Sequence, residues 1–242
     1  MTHTRTVQAS TEPSYHLAEW KKSSGTAYLT SILAPLDVRP GTVILDVGCG
    51  SGYVSAYFSR ENRVRRNLAL DLEPQTLRLA RELSAGQAQG PIDWVCGRAE
   101  QLPVASGSVD HLVCRAVLPY TAIPRAVAEI ARSLADTGSA VLLLHPWTLY
   151  ARKLSLHPRG WKTDVALMMI LITGVIFHFT GVLFRPKVGR WRIGETFQTV
   201  ARMRTLLHHH GLSVYRVQAD PEVIIYATKA RSSNGVRSAN ES

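Results

Sequence analysis

The sequence predicts an α/β domain built on a doubly wound, mostly parallel sheet, and three observations carry that reading. The run 43–47, Val-Ile-Leu-Asp-Val, is an apolar strand that opens straight into a turn with glycines at 48, 50 and 52. From there to His145, short apolar strands alternate with amphipathic helices over brief connections, the mark of parallel strands with crossover helices. Finally, acids close the first two strands, Asp46 and Asp71, at the ends where such sheets meet their ligands.

Taken in order, residues 1–12 are polar and aperiodic and read as a mobile arm. Tyr15, Leu17, Ala18 and Trp20, then Ala27, Tyr28, Ile32 and Leu33, have the spacing of one or two short helices ended by Pro35 and the Pro40-Gly41 turn. These helices either lid the glycine turn or cover the sheet. After the first strand a helix is expected over 53–60, then a strand over 66–71 and a helix opening on Pro74 with Leu77, Ala80 and Leu83 on one face. A third strand is expected over 92–96 and a fourth over 109–114. The helix over 123–135 carries Val127, Ile130, Ala131 and Leu134 as a stripe, stops at Gly138, and gives way to an almost wholly apolar strand over 139–145. The alternation then breaks and resumes with a helix over 195–210, stopped by Gly211. Two antiparallel strands over 212–218 and 223–228 follow, divided by Asp220-Pro221. The Ser/Asn/Gly/Arg tail from Ala230 is expected to be disordered. The layout is thus an arm with lid helices over 1–40, a main domain over 41–229 with an insertion over 147–194, and a tail over 230–242.

A chain of 242 residues, 45% of them hydrophobic, accommodates one large domain with a full core. No charged leader with an apolar run precedes residue 40, so a cytoplasmic location is expected. Cys49, Cys96 and Cys114 fall at or beside strand ends without a CxxC spacing, which predicts reduced, buried thiols and no metal or redox role. Consecutive His208, His209 and His210 point in different directions on a helix, which fits a solvated helix end and no metal set. The net charge of +10 would first suggest nucleic acid, but its location matters more: residues 151–192 hold eight Lys and Arg against one acid, Asp164.

Glycine in the turn after the first strand lets a backbone approach a ligand closely, and the N–H groups of a helix starting near Gly52 would face an anionic part of it. Asp46, an acid closing an apolar strand, costs desolvation unless it is used. Asp71 lies nineteen residues past Gly52, where a carboxylate accepts hydrogen bonds from both hydroxyls of a ribose. A helix-capping role for it is the weaker account, because Glu73 is better placed for that. GxGxG in place of GxGxxG disfavours a nicotinamide dinucleotide.

Asp46-Val47-Gly48-Cys49-Gly50-Ser51-Gly52, Leu70-Asp71-Leu72, Gly97-Arg98-Ala99-Glu100-Gln101-Leu102-Pro103 and Ser108-Val109-Asp110-His111-Leu112-Val113 closely resemble the successive motifs of class I S-adenosylmethionine-dependent methyltransferases. Within that class the chain is similar to the group containing the ubiquinone and menaquinone biosynthesis methyltransferases. The resemblance is strong over 41–147 and extends in general layout over 195–229. It implies a Rossmann-like seven-stranded methyltransferase sheet, mostly parallel with the last strand antiparallel, into which this sequence sets an apolar helical insertion between strands 5 and 6. It implies S-adenosyl-L-methionine as cofactor, with Gly48, Gly50 and Gly52 leaving room for its methionine portion and Asp46 holding the loop and the ammonium end. Asp71 would bind the ribose, Leu72 would lie against the adenine, Ala99 and Glu100 would bound it, and Cys114 and Arg115 would pass beside the methionine portion. Arg98 departs from the pattern, since the family usually has Asp or Asn there as acceptor for the adenine amino group.

Methyl transfer from a sulfonium needs alignment and exclusion of water more than a conspicuous catalytic group. For a hydroxyl or acidic-carbon acceptor a base would help, and His145 and Tyr120 sit on the expected rim. The alternative for His145 is a hydrogen-bonded strand-end histidine. Residues 165–184 run twenty positions without a charge, flanked by Trp147, Tyr150 and Trp161 before and Trp191 after, long enough to span a membrane. A single crossing would divide the sheet, so a hairpin bent at Thr173-Gly174 and dipping into an anionic membrane surface is expected, against the alternative of a cap helix or dimer surface. The expected function is methyl transfer to a small lipophilic acceptor, quinone-like, isoprenoid or lipid, by an enzyme peripheral on the cytoplasmic face of a membrane. An RNA methyltransferase gripping phosphates with the basic flanks is a second reading, although 114–120 lacks the Asn/Asp-Pro-Pro-Tyr pattern. A non-catalytic membrane scaffold is a third.

Overall fold

The computed structural model describes residues 13–23, 26–60, 64–156, 160–188, 191–192, 194–220 and 222–229. The expected arm 1–12 and tail 230–242 lie outside these residues, as do the side chains of Trp161 and Trp191.

Among the described residues a seven-stranded sheet is formed by β1 (Thr42–Val47), β2 (Val64–Asp71), β3 (Asp93–Cys96), β4 (Val109–Arg115), β5 (Leu134–Leu144), β6 (Leu212–Gln218) and β7 (Val223–Lys229). Their order is β3-β2-β1-β4-β5-β7-β6. The first five pair in parallel, and β7 runs antiparallel to both its neighbours, β5 and β6. Every residue of β1 is buried, as a strand covered on both faces requires. Strand order reverses between β1 and β4, and the crevice at their carboxyl ends is where open sheets of this kind hold ligands.

Helices α1 (Pro13–Ser23) and α2 (Thr26–Leu33) precede the sheet; α3 (Tyr53–Ser59), α4 (Pro74–Ser84) and α5 (Ile123–Ser133) cross between strands; α6 (Trp147–Leu156), α7 (Gly160–Thr180) and α8 (Val200–His209) follow β5. Alternation along the strands splits the core in two. Leu45, Leu112, Cys114 and Leu142 face Val127, Ile130, Met203 and Leu207 of α5 and α8. Ile44, Val113, Val141 and Leu143 face Leu29, Ile32, Val54 and Phe58 of α2 and α3.

Three expectations are corrected. The fifth strand starts at Leu134, directly after α5, and Gly138 lies inside it, in a register shift between the Val109–Leu134 and His111–Ser139 pairs. The helix expected from Glu195 starts at Val200, where the Thr199 side chain accepts the Arg202 N–H at 3.2 Å; Glu195, Thr196 and Gln198 instead hydrogen-bond to Tyr150, Pro119 and His145. Cys96 is exposed because β3 is the sheet edge, whereas Cys49 and Cys114 are buried.

The hairpin bent at Thr173-Gly174 is also corrected: α7 runs unbroken through both residues. Thr173 Oγ1 donates to Ile170 O at 3.2 Å, satisfying the hydroxyl within the helix. A Cβ at Gly174 would stand 2.1 Å from Phe197 Cδ1, so this glycine is a seat for a buried ring and not a break. The true stop is Gly181 at φ +73°, whose N–H donates to Phe177 O at 2.9 Å. Behind it His178 meets Thr199 Oγ1 at 2.7 Å and Arg202 Nε donates to His178 O at 2.8 Å, knitting the end of α7 to the start of α8.

Candidate active site

The glycine turn after β1 is held from below and covered from above. Gly48 and Cys49 donate to Leu70 O at 2.7 and 2.9 Å, which ties the turn to β2. Gly48 and Gly52 adopt φ +68° and +80°, and a Cβ would stand 2.1 Å from Val117 Cγ2 and 2.8 Å from Trp94 Cη2 respectively. Above Gly50, His16 of α1 is buried with Nδ1 3.6 Å from where a Cβ would sit, and its Nε2 lies 3.5 Å from Thr76 Oγ1. The N-terminal helix therefore packs over the turn.

Asp46 is buried at the end of β1, and its Oδ2 accepts Ser55 Oγ at 2.8 Å, fastening α3 to the strand. Burial pushes its carboxyl up to about 7, against the pull of Ser55 and Arg115. Asp71 clamps the turn: Oδ2 accepts the Gly50 N–H at 3.0 Å and Oδ1 the Glu73 N–H at 3.1 Å. Glu73 is the residue before α4 but makes no side-chain cap. Leu72 is half exposed beside it and Ala99 is buried. The Glu100 carboxylate turns to the start of α5, accepting the Ala122 N–H at 2.8 Å, while the largely exposed Arg98 lies 3.7 Å from its other oxygen. Arg98 thus leaves the strand-end crevice to its neighbours.

Cys114 is fully buried, and burial pushes its thiol up to about 12, so it packs and does not react. Arg115 is different. Its Nη2 donates to Tyr28 Oη at 2.7 Å, Glu222 lies 3.7 Å away, and the guanidinium stacks over Tyr28 and Tyr53 at 5.2 and 5.1 Å. Tyr28 in turn donates to Glu222. Arg115 Nε and Nη1 are buried and have no partner among the described residues, an arrangement that costs free energy unless an anion arrives. The next residue, Ala116, holds φ +56°, a conformation that non-glycine residues adopt mainly where surroundings impose it.

His145 and Tyr120 come together at the carboxyl ends of β5 and β4, ring centroids 6.2 Å apart. With them stand Tyr150 and Glu195. Tyr150 Oη donates to Glu195 Oε2 at 2.9 Å, and His145 Nδ1 lies 3.3 Å from Tyr150 Oη. Glu195 is placed by the chain returning from the insertion: Thr196 N donates to Pro119 O, Gln198 N to His145 O and His145 N to Gln198 Oε1, each at 3.0 Å. Arg185 donates to the carbonyls of Pro119, Tyr120 and Thr121 and pins the turn that carries Tyr120. Burial, helped by Lys153, lowers His145 to about 4; burial and the Glu195 carboxylate raise both phenols. Burial and the Glu19 carboxylate raise the Tyr15 phenol of α1, with Glu195 a smaller contribution.

The sequence pointed to Tyr120 and His145 and missed the parts played by Tyr150, Glu195 and His16. Tyr150 belongs to the core beside α7 and not to an aromatic membrane flank, and Lys153 and Arg185 are turned to the protein. Only the position of Glu195, the first acid after a long acid-poor stretch, hinted at a use.

A reversed parallel sheet with a glycine turn and acids at two strand ends defines a nucleotide-type binding domain of the Rossmann-like class. Residues 45–142 match the family described as a methyltransferase domain, and this part of the chain is a class I S-adenosylmethionine-dependent methyltransferase domain. The biotin biosynthesis bifunctional protein BioHC of Cellvibrio japonicus is 34% identical over 148 residues, 60% of this chain and 27% of that protein. The ubiquinone biosynthesis O-methyltransferase of Xanthomonas campestris pv. campestris is 30% identical over 105 residues, 43% of each chain. The matches therefore span less than half the length of these relatives. A SAM dependent methyltransferase from Aquifex aeolicus shares the fold with a TM-score of 0.58 at 14% identity, covering 90% of this chain and 98% of that one.

Proposed function

We propose that the whole chain is an S-adenosylmethionine-dependent methyltransferase acting on a small lipophilic acceptor, quinone-like, isoprenoid or lipid, met at an anionic membrane surface. The observation that carries the acceptor class is the outward face of α7. Val165, Met168, Ile172, Val175 and Phe179 are all exposed, and their spacing puts them on one stripe, which Val182 and Phe184 prolong past the helix end. The opposite face, Leu167, Ile170 and Phe177, is buried, with Leu167 and Ile170 packed around Tyr150 and Phe197 beside the acceptor-side cluster. An exposed apolar stripe in a segment rich in Lys and Arg fits an anionic lipid surface.

The residues present fit the cofactor. Gly48, Gly50 and Gly52 give backbone access, and the orphaned Nε and Nη1 of Arg115 suit a carboxylate such as that of its methionine portion. Asp46 would face the ammonium end, Asp71 the ribose hydroxyls, and Leu72, Ala99 and Glu100 the adenine. When bound, S-adenosylmethionine supplies a methyl group already activated on sulfur. The chain then aligns the acceptor at the ends of β4 and β5 and, through α1, excludes water. The name of the Xanthomonas relative supports transfer to oxygen.

The test is incubation with methyl-labelled cofactor and separated lipid, RNA and protein fractions of a host cell. Label in the lipid fraction is expected. Label in RNA would replace this reading with base methylation, and failure to bind the cofactor by calorimetry would favour a scaffold.

A further inference from the structure

We propose that the acceptor is a neutral hydroxyl compound of the phenol or enol class and that His145 Nε2 takes its proton, with Tyr150 and Glu195 as positioning residues that fix the imidazole tautomer. The inference rests on the methyl-transfer reading above and deepens it.

Hydrogen counting along the cluster gives the tautomer. Tyr150 has one hydroxyl proton, and at 2.9 Å it is donated to Glu195 Oε2, which as a carboxylate can only accept. The Tyr150 oxygen is then free only to accept at its other contact, His145 Nδ1 at 3.3 Å, so Nδ1 carries the proton of the neutral ring. The remaining lone pair lies on Nε2, the nitrogen that the cluster leaves for an acceptor. The charged and titratable groups facing the ring are Tyr150 and Lys153 from α6, Tyr120 from the turn after β4, and Glu195 from the returning segment. Burial and Lys153 keep the ring neutral until it reacts. Once it holds a proton, the counter-charge is two hydrogen bonds away at Glu195.

The same carboxylate selects against anions. A carboxylate acceptor would bring a second negative charge into a buried site already holding Glu195, and would need no base. A phenol or enol arrives neutral and does need one. In the step, the acceptor O–H breaks with its proton passing to Nε2, the oxygen pair forms the new O–CH3 bond, and the methyl–sulfur pair returns to sulfur. Methyl ether and S-adenosylhomocysteine result, and the imidazolium gives its proton to water.

The experiment uses the full chain. Long-range proton–nitrogen NMR of 15N-histidine protein, with His145 assigned by its absence in His145→Gln, should show His145 as the Nδ1–H tautomer, and Tyr150→Phe should release it to a mixture. With 4-octylphenol, 4-octylbenzoate and 4-octylaniline as matched probes, labelled methyl should enter the phenol in preference to the other two. His145→Gln should lower kcat about 100-fold at pH 7 with little change in acceptor KM, and should regain rate toward pH 10, where a phenol ionises unaided. Glu195→Gln, which keeps an acceptor for Tyr150 and removes the charge, should lower kcat without altering S-adenosylhomocysteine affinity. An Nε2–H tautomer in the wild type, undiminished kcat in His145→Gln, or faster transfer to the benzoate or aniline would each overturn the inference. Loss of S-adenosylhomocysteine binding in the wild type would instead overturn the methyl-transfer reading beneath it.

Discussion

Arg115 shows how a single side chain joins α2, α3 and the segment before β7. It is held by Tyr28, Tyr53 and Glu222, yet keeps two buried N–H groups without partners among the described residues. If those groups receive the cofactor carboxylate, Arg115→Met should weaken S-adenosylhomocysteine by at least about tenfold, since a hydrogen bond to a charged group is worth about 1.5–3 kcal/mol. It should leave 5′-methylthioadenosine, which has no amino-acid portion, nearly unchanged; equal losses for both in calorimetry would refute the assignment. His145 carries a stability signature of its own. Its folded value, about 4, lies below the ordinary histidine value, so its contribution is present above about pH 6.5 and is lost as pH falls toward 4. The wild type should therefore lose stability relative to His145→Gln over that window in denaturant titrations, and parallel curves would refute the buried neutral ring. At this scale the sequence disclosed the residues that sit in motifs, Asp46, Asp71 and the glycines. It concealed Tyr150 and Glu195, because their meeting depends on a chain that leaves β5 and comes back some fifty residues later.

Helix α7 shows why composition misled about shape. Twenty uncharged residues with Thr173-Gly174 in the middle look like a broken hairpin, whereas in space the glycine admits the ring of Phe197 and the helix needs no bend. Gly174→Ala should gain about 1 kcal/mol of helix propensity and lose more to overpacking against that ring, about 1–3 kcal/mol. A modest fall in Tm is expected, and a rise would show that the ring moves freely. The outer stripe makes a separate claim. Replacing Met168, Ile172 and Phe179 together by Ser should cut binding to anionic vesicles strongly, at about tenfold per side chain if each contributes about 1.4 kcal/mol. Calorimetric binding of S-adenosylhomocysteine should stay as it was. Undiminished co-sedimentation would remove the membrane role while leaving the fold of the domain untouched.

On the scale of the molecule, the sheet settles what α7 is able to do. By length and composition 163–180 is apolar enough to cross a bilayer, but β5 before it pairs with β7 after it along six residues, Ser139–Thr228 to Leu144–Val223. A crossing would put those partners on opposite sides. The parallel portion of the sheet was legible in the sequence because each strand is a local apolar run bounded by turn residues. The helices before the sheet were legible as well, but not the contacts of His16 over Gly50 and beside Thr76, because they are made across the fold.

The insertion also leaves and re-enters at one place, the hydrogen-bonded pair of His145 and Gln198, with Arg185 riveting its far side to the turn after β4. Such a junction behaves as a socket. Segments of other lengths and surfaces should fit between the same two contacts with no change in strand register, provided the incoming piece brings a hydroxyl that reaches the retained Glu195 as Tyr150 does. Under the proposed methyl-transfer reading, acceptor choice is then separable from donor binding, and exchanging residues 147–194 for the matching piece of another protein should change the acceptor while S-adenosylhomocysteine binding stays.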